Sequence, residues 1–103
     1  MYYTYMIRCS DNSIYTGITT DINRRFLEHK NKDKKCAKYT YTHDVVKLEC
    51  YYISETRSLA SRLEYYIKKL SKEDKEKLIF SDQSFELLFH EKIDLTQYKR
   101  GKI

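Results

Sequence analysis

Tyr2-Tyr3-Thr4-Tyr5-Met6-Ile7-Arg8-Cys9-Ser10-Asp11-Asn12-Ser13-Ile14-Tyr15-Thr16-Gly17-Ile18-Thr19 is the stretch on which the fold turns. From Tyr2 to Cys9 the residues alternate, with Tyr3, Tyr5, Ile7 and Cys9 on one side and Thr4, Met6 and Arg8 between them, which reads as a strand. Ser13 to Thr19 reads as a second strand with β-branched Ile14, Thr16 and Ile18, and Ser10-Asp11-Asn12 between them is turn chemistry. A two-residue loop would set Tyr5 opposite Ile18 and put Tyr5 and Tyr15 on opposite faces. A three-residue loop, with Asn12 in the left-handed bulge position, sets Tyr5 opposite Gly17 and Ile7 opposite Tyr15, so both phenols share a face. The three-residue loop is the expectation.

Downstream, Thr20 or Asp21 can cap a helix to about Lys30, with Ile22 and Phe26 on its buried side and Arg25 and His29 one turn apart on a neighbouring stripe. Lysines crowd the next segment, from Lys30 to Lys38, and with no apolar period it reads as a loop holding at most one short helical turn. Val45 to Ile53 is expected as a third strand, with Val46, Leu48, Cys50 and Tyr52 forming its apolar face. Ser54 is expected to cap the strongest helix, in which Leu59, Leu63, Tyr66, Ile67 and Leu70 recur at helical spacing. Ser71 with Asp74 opens another helix through about Ile79. In Ser81 to Ile103, Phe85, Leu88, Phe89 and Ile93 suit a helix while Phe85, Leu87 and Phe89 suit a strand, and the Lys99-Arg100-Gly101-Lys102 end looks frayed.

At 103 residues the chain has room for one modest core. No apolar run is long enough for a membrane span and no signal peptide is evident, so a cytoplasmic protein is expected. Cys9, Cys36 and Cys50, odd in number and without close pairing, fit reduced thiols better than a disulfide framework or a zinc site. The net charge of +5 favours a polyanionic partner without deciding which.

The chain resembles the GIY-YIG endonuclease domain, of the small stand-alone kind, from about Tyr2 to Ile79. Tyr3-Thr4-Tyr5 stands for the first tripeptide and Tyr15-Thr16-Gly17 for the second, so the departures spare the tyrosines. Arg25 and His29 follow where the family places its arginine and a histidine or tyrosine. Glu64, in Leu63-Glu64-Tyr65-Tyr66-Ile67-Lys68, is similar to the family's metal-binding glutamate, and Lys38-Tyr39-Thr40 resembles a segment of the small members. Many members carry a lysine directly after the second tripeptide, where this chain has Ile18.

The resemblance implies an α+β fold, a small three-stranded antiparallel sheet flanked by helices, with a nuclease domain over residues 1–80 and an extension over residues 81–103. It implies a metal-dependent endonuclease acting on DNA, with structured or damaged DNA as the expected substrate and targeting by a partner protein or a homo-oligomer. Tyr5, Tyr15, Arg25, His29 and Glu64 would be catalytic, Glu64 also holding one Mg²⁺ or Mn²⁺, while Gly17, Lys38 and Tyr39 would contact substrate. The chemistry of the residues agrees. A single carboxylate serves such ions when phosphate and water supply the remaining oxygens. A planar guanidinium suits the charge that builds on a scissile phosphate. A phenol can activate water if a cation favours its ionised form, with imidazole as the rival base. Two other readings stay open: a module that binds nucleic acid without turnover, and a scaffold that docks a partner through its tyrosines.

Overall fold

The computed structural model describes all residues, Met1–Ile103. Strand β1, Tyr2–Cys9, and strand β2, Ile14–Thr19, form an antiparallel hairpin in which Tyr5 faces Gly17 and Ile7 faces Tyr15. The three-residue loop is present, with Asn12 at φ 70° and the Asn12 amide donating to the Cys9 carbonyl at 2.9 Å. The Asp11 carboxylate accepts from the Ser13 amide at 3.0 Å, which steadies the turn and so fixes which face each tyrosine takes.

Helix α1, Ile22–Lys30, is capped by Asp21, which accepts from the Arg24 amide. A loop leads to α2, Lys38–Thr42, a single turn, and then to β3, Val45–Ser54. Strand β3 pairs with β1, but its register slips because Met6 faces Cys50 while Ile7 faces Leu48. Glu49 is the extra residue of this bulge, so the expected even-numbered apolar face survives at Cys50 and Tyr52 but loses Leu48, which falls opposite Ile7, and a second slip between Arg8 and Cys9 leaves Val46 unpaired and half exposed. The bulge turns Glu49 to Arg8, whose guanidinium also grips Glu76 with two bonds of 2.5 and 2.6 Å. Helix α3, Arg57–Lys68, is capped by Thr56 accepting from the Leu59 amide, not by Ser54, which stays in β3 with its hydroxyl buried. Helix α4, Lys72–Phe80, starts at the Ser71 cap as expected, and α5, Gln83–Phe89, settles the ambiguous segment as helix.

The sheet has four strands, not three, in the order β2-β1-β3-β4, because β4, Lys99–Arg100, pairs along the free edge of β3. The end expected to fray is instead held by Arg100, which donates to the Leu78 and Ile79 carbonyls at 2.7 Å each, the unsatisfied groups at the close of α4.

The two sheet faces are covered differently. Met6, Ile14, Cys50 and Tyr52 pack with Leu63, Ile67, Leu78, Phe85, Phe89 and Ile93 in the apolar core. Helix α3 lies on that side, where the Thr4 hydroxyl donates to the Ala60 carbonyl at 3.0 Å. Helix α1 covers the other face, over Tyr5 and Tyr15. Because β2 is an edge strand, side chains of α3 can reach round it to the tyrosine face. That edge is where the candidate site lies.

Candidate active site

Tyr5 is 2 % exposed, and its hydroxyl lies 2.7 Å from Nε2 of the fully buried His29. Gly17 makes this possible, since a Cβ there would stand 2.5 Å from the Tyr5 hydroxyl oxygen. The other ring nitrogen, Nδ1, lies 2.5 Å from Thr40 Oγ1, and the Thr40 hydroxyl donates to the Ala37 carbonyl at 3.1 Å. With that proton committed, Thr40 accepts from Nδ1–H, leaving Nε2 of a neutral ring to accept the Tyr5 phenolic proton. Burial, reinforced by the Arg25 charge, lowers His29 to about 4, so the ring is neutral in ordinary conditions. Lys32, at positive φ, holds α2 in place by donating from Nζ to the Thr40 and Tyr41 carbonyls at 3.2 and 2.9 Å.

Arg25 reaches toward the same phenol from α1. Its guanidinium donates to Glu28 at 2.9 Å and to the Lys35 carbonyl. Burial raises the Tyr5 phenol far above its ordinary value, opposed chiefly by Arg25. Tyr15 is half-buried, 6.4 Å from the Tyr5 ring and 5.3 Å from the His29 ring, centroid to centroid. Its phenol is also raised by burial, opposed first by Lys68 and then by Arg25, while Glu64 adds to the rise.

Glu64 and Lys68 come from α3, round the edge of β2, with Lys68 Nζ 3.3 Å from the Glu64 carboxylate and 5.9 Å from the Tyr15 ring centroid. The charges of Arg25 and Glu64 are thus both felt at both phenols. The structure gathers Tyr5, Tyr15, Arg25, His29 and Glu64 about one edge. Tyr39 joins them by stacking on Tyr15 at 5.8 Å, its ring also lying 4.0 Å from that of His43. Lys38 does not join: it is exposed at the start of α2, and its side chain makes no contact with the five.

Sequence reading missed Thr40, Lys32 and Lys68. Thr40 and Lys32 act through a one-turn helix that carries no apolar period, whereas Lys68, one turn after Glu64, was legible from spacing.

Residues 1–78 match the family model of the GIY-YIG catalytic domain. The chain belongs to the GIY-YIG family. A UPF0213 protein of Fusobacterium nucleatum is 48% identical over 84 residues, covering 82% of this chain and 82% of that protein. Another, from Enterobacter sp., is 44% identical over 88 residues, 85% of this chain and 84% of its own. The solution NMR structure of a UPF0213 protein from Bacillus halodurans is similar with a TM-score of 0.50 and 37% identity, over 78% of this chain and 84% of that one. GIY-YIG domains are nuclease domains, so the gathered side chains of this one stand in a nuclease framework.

The donor set bears on the metal that such a site would use. No group of three or more His, Cys, Asp or Glu is placed to hold an ion. Glu64, partly exposed at the edge, instead suits a hard divalent cation that keeps most of its waters and borrows oxygen from phosphate.

Proposed function

We propose that this GIY-YIG domain is a metal-dependent endonuclease that hydrolyses phosphodiester bonds in DNA, with structured or damaged DNA as the favoured substrate. The observation that supports the reading best is the convergence of two phenols, a neutral imidazole, a guanidinium and one carboxylate at the edge of β2. Mg²⁺ or Mn²⁺ at Glu64 would supply charge neutralisation at the phosphate and acidify water.

The other roles belong to the chain's own residues. Tyr15, the more exposed phenol, takes the proton of the attacking water. Lys68 and Arg25 favour its ionised form, against burial. Arg25 clamps the scissile phosphate, exchanging its Glu28 and Lys35 partners for phosphate oxygens as charge develops. His29 has both nitrogens engaged and no exposed edge, so it works through Tyr5, accepting the phenol's hydrogen bond and fixing the direction of its oxygen. Gly17 keeps the space that Tyr5 needs, and Tyr39 braces Tyr15 from behind.

The test is a nicking assay on linear, nicked, branched and base-damaged DNA with Mg²⁺ or Mn²⁺. Metal-dependent cutting that Tyr15→Phe reduces strongly, in a protein whose far-UV circular dichroism is unchanged, is the expected result. Tight DNA binding with no cutting of any substrate would favour a binding module instead.

A further inference from the structure

A concavity of about 440 Å³ opens beside Arg25 and is lined by Arg24, Arg25, Lys35 and Arg57, with Glu28 the one acid among its walls. Arg25 and Arg24 are balanced in part by Glu28, at 2.9 and 3.8 Å. Arg57, on the first turn of α3, and Lys35, in the loop before α2, enter no ion pair. Two unpaired cations in a concave, water-filled wall raise the local potential for anions more than the same charges on a convex surface. Tyr2 and Ile18 are the apolar members of the lining.

Ile18 lines the same cleft as Lys35, Arg57 and Arg24, so the end of β2 gives the cleft an apolar wall while its positive charge comes from α1, the first turn of α3 and the loop before α2. We infer that this cleft binds the backbone phosphate next to the scissile one on the same nucleic-acid strand, with Arg57 and Lys35 as its cations and Arg25 shared between the two phosphates. This rests on the nuclease reading for the scissile position, and it names the path of the strand: along the β2 edge, from Glu64 and Tyr15 past Arg25 to Arg57. A phosphate held there anchors the strand in register without touching the reacting atoms, so its effect belongs in affinity.

The experiment measures binding and cleavage of a fluorescein-labelled oligonucleotide, single-stranded and duplex, over a range of salt. The variants are Arg57→Glu, Lys35→Glu and the pair, with Lys99→Glu, a charge reversal on the opposite sheet edge, as control. The pair is expected to weaken binding roughly tenfold beyond the control and to lower the salt slope by about 1 to 2. Arg57→Lys should restore most of the affinity. Affinity and slope equal to those of Lys99→Glu would overturn the proposal. So would inorganic phosphate binding that depends on Arg57 and Lys35 while oligonucleotide affinity does not, for the cleft would then hold a free anion. A protein that binds as expected but never cuts breaks the nuclease reading and leaves the cleft standing; one that cuts with unchanged affinity in the pair does the reverse.

Discussion

The two faces of one sheet are built from different chemistry. On one, Met6, Cys50 and Tyr52 meet Leu63, Ile67 and Phe89 in a buried apolar core. On the other, Tyr5 and Tyr15 lie against an imidazole and within reach of a guanidinium, with hydrogen bonds standing in for apolar area. The first face gains stability from removing surface from water. The second holds a buried, neutral histidine hydrogen-bonded to a buried phenol, with a guanidinium beside them, an arrangement that packing alone does not need. The difference teaches that the hairpin register turns Tyr5, Tyr15 and Gly17 to the site while Met6 and Ile14 go to the core.

The sharpest way to break that division is to cut one face and read the other. Phe89→Ala, in the core, should lower stability by about 3 to 5 kcal/mol in denaturant titration, while the fraction that remains folded keeps its rate. Arg25→Ala should do the opposite, cutting the rate by about 10² to 10³ while stability moves by less than about 1 kcal/mol. If the two variants fail in the same assay, the faces are not separable.

The pH dependence of stability sharpens the comparison next. His29 is lowered to about 4 when folded and is ordinary, near 6.5, when unfolded. Between these values the unfolded chain binds more protons, so the contribution of His29 is intact above about pH 6.5 and is lost as pH falls toward 4, by roughly 3 kcal/mol. His29→Gln should flatten that limb of the stability profile, measured by urea unfolding at stepped pH. A smaller effect is expected from Gly17→Ala, where the new methyl group meets the Tyr5 hydroxyl. It should cost about 1 to 3 kcal/mol and lower activity by moving Tyr5 off His29, visible as a shifted His29 ring resonance.

Much of this was legible in the sequence, and the reasons differ by element. The hairpin register followed from loop length and the tolerance of Asn12 for positive φ. The helical spacing of α3 and the Ser71 cap were equally direct. The fourth strand was not, because two residues carry no alternation and β4 is held by long-range contacts, Arg100 on α4 and Gly101 on Tyr51. The bulge at Glu49 was hidden too, since it shows only in the pairing of β3 with the distant β1, and Ser54 looked like a cap because a buried serine and a capping serine are identical in one dimension. At the site, Tyr5, Tyr15, Arg25, His29 and Glu64 stood out by their resemblance to the motif positions of the family, whereas the partner that sets the tautomer of His29 is a threonine eleven positions on and was visible only in three dimensions.

The most direct measurement of the central claim is the cleavage rate of Glu64→Gln beside wild type on the best-cut DNA, at saturating Mg²⁺ or Mn²⁺, with melting temperatures recorded for both. The account predicts that cleavage disappears while the melting temperature holds, because the amide keeps the shape of the side chain but not its charge. Wild-type cutting by a folded Glu64→Gln would contradict it.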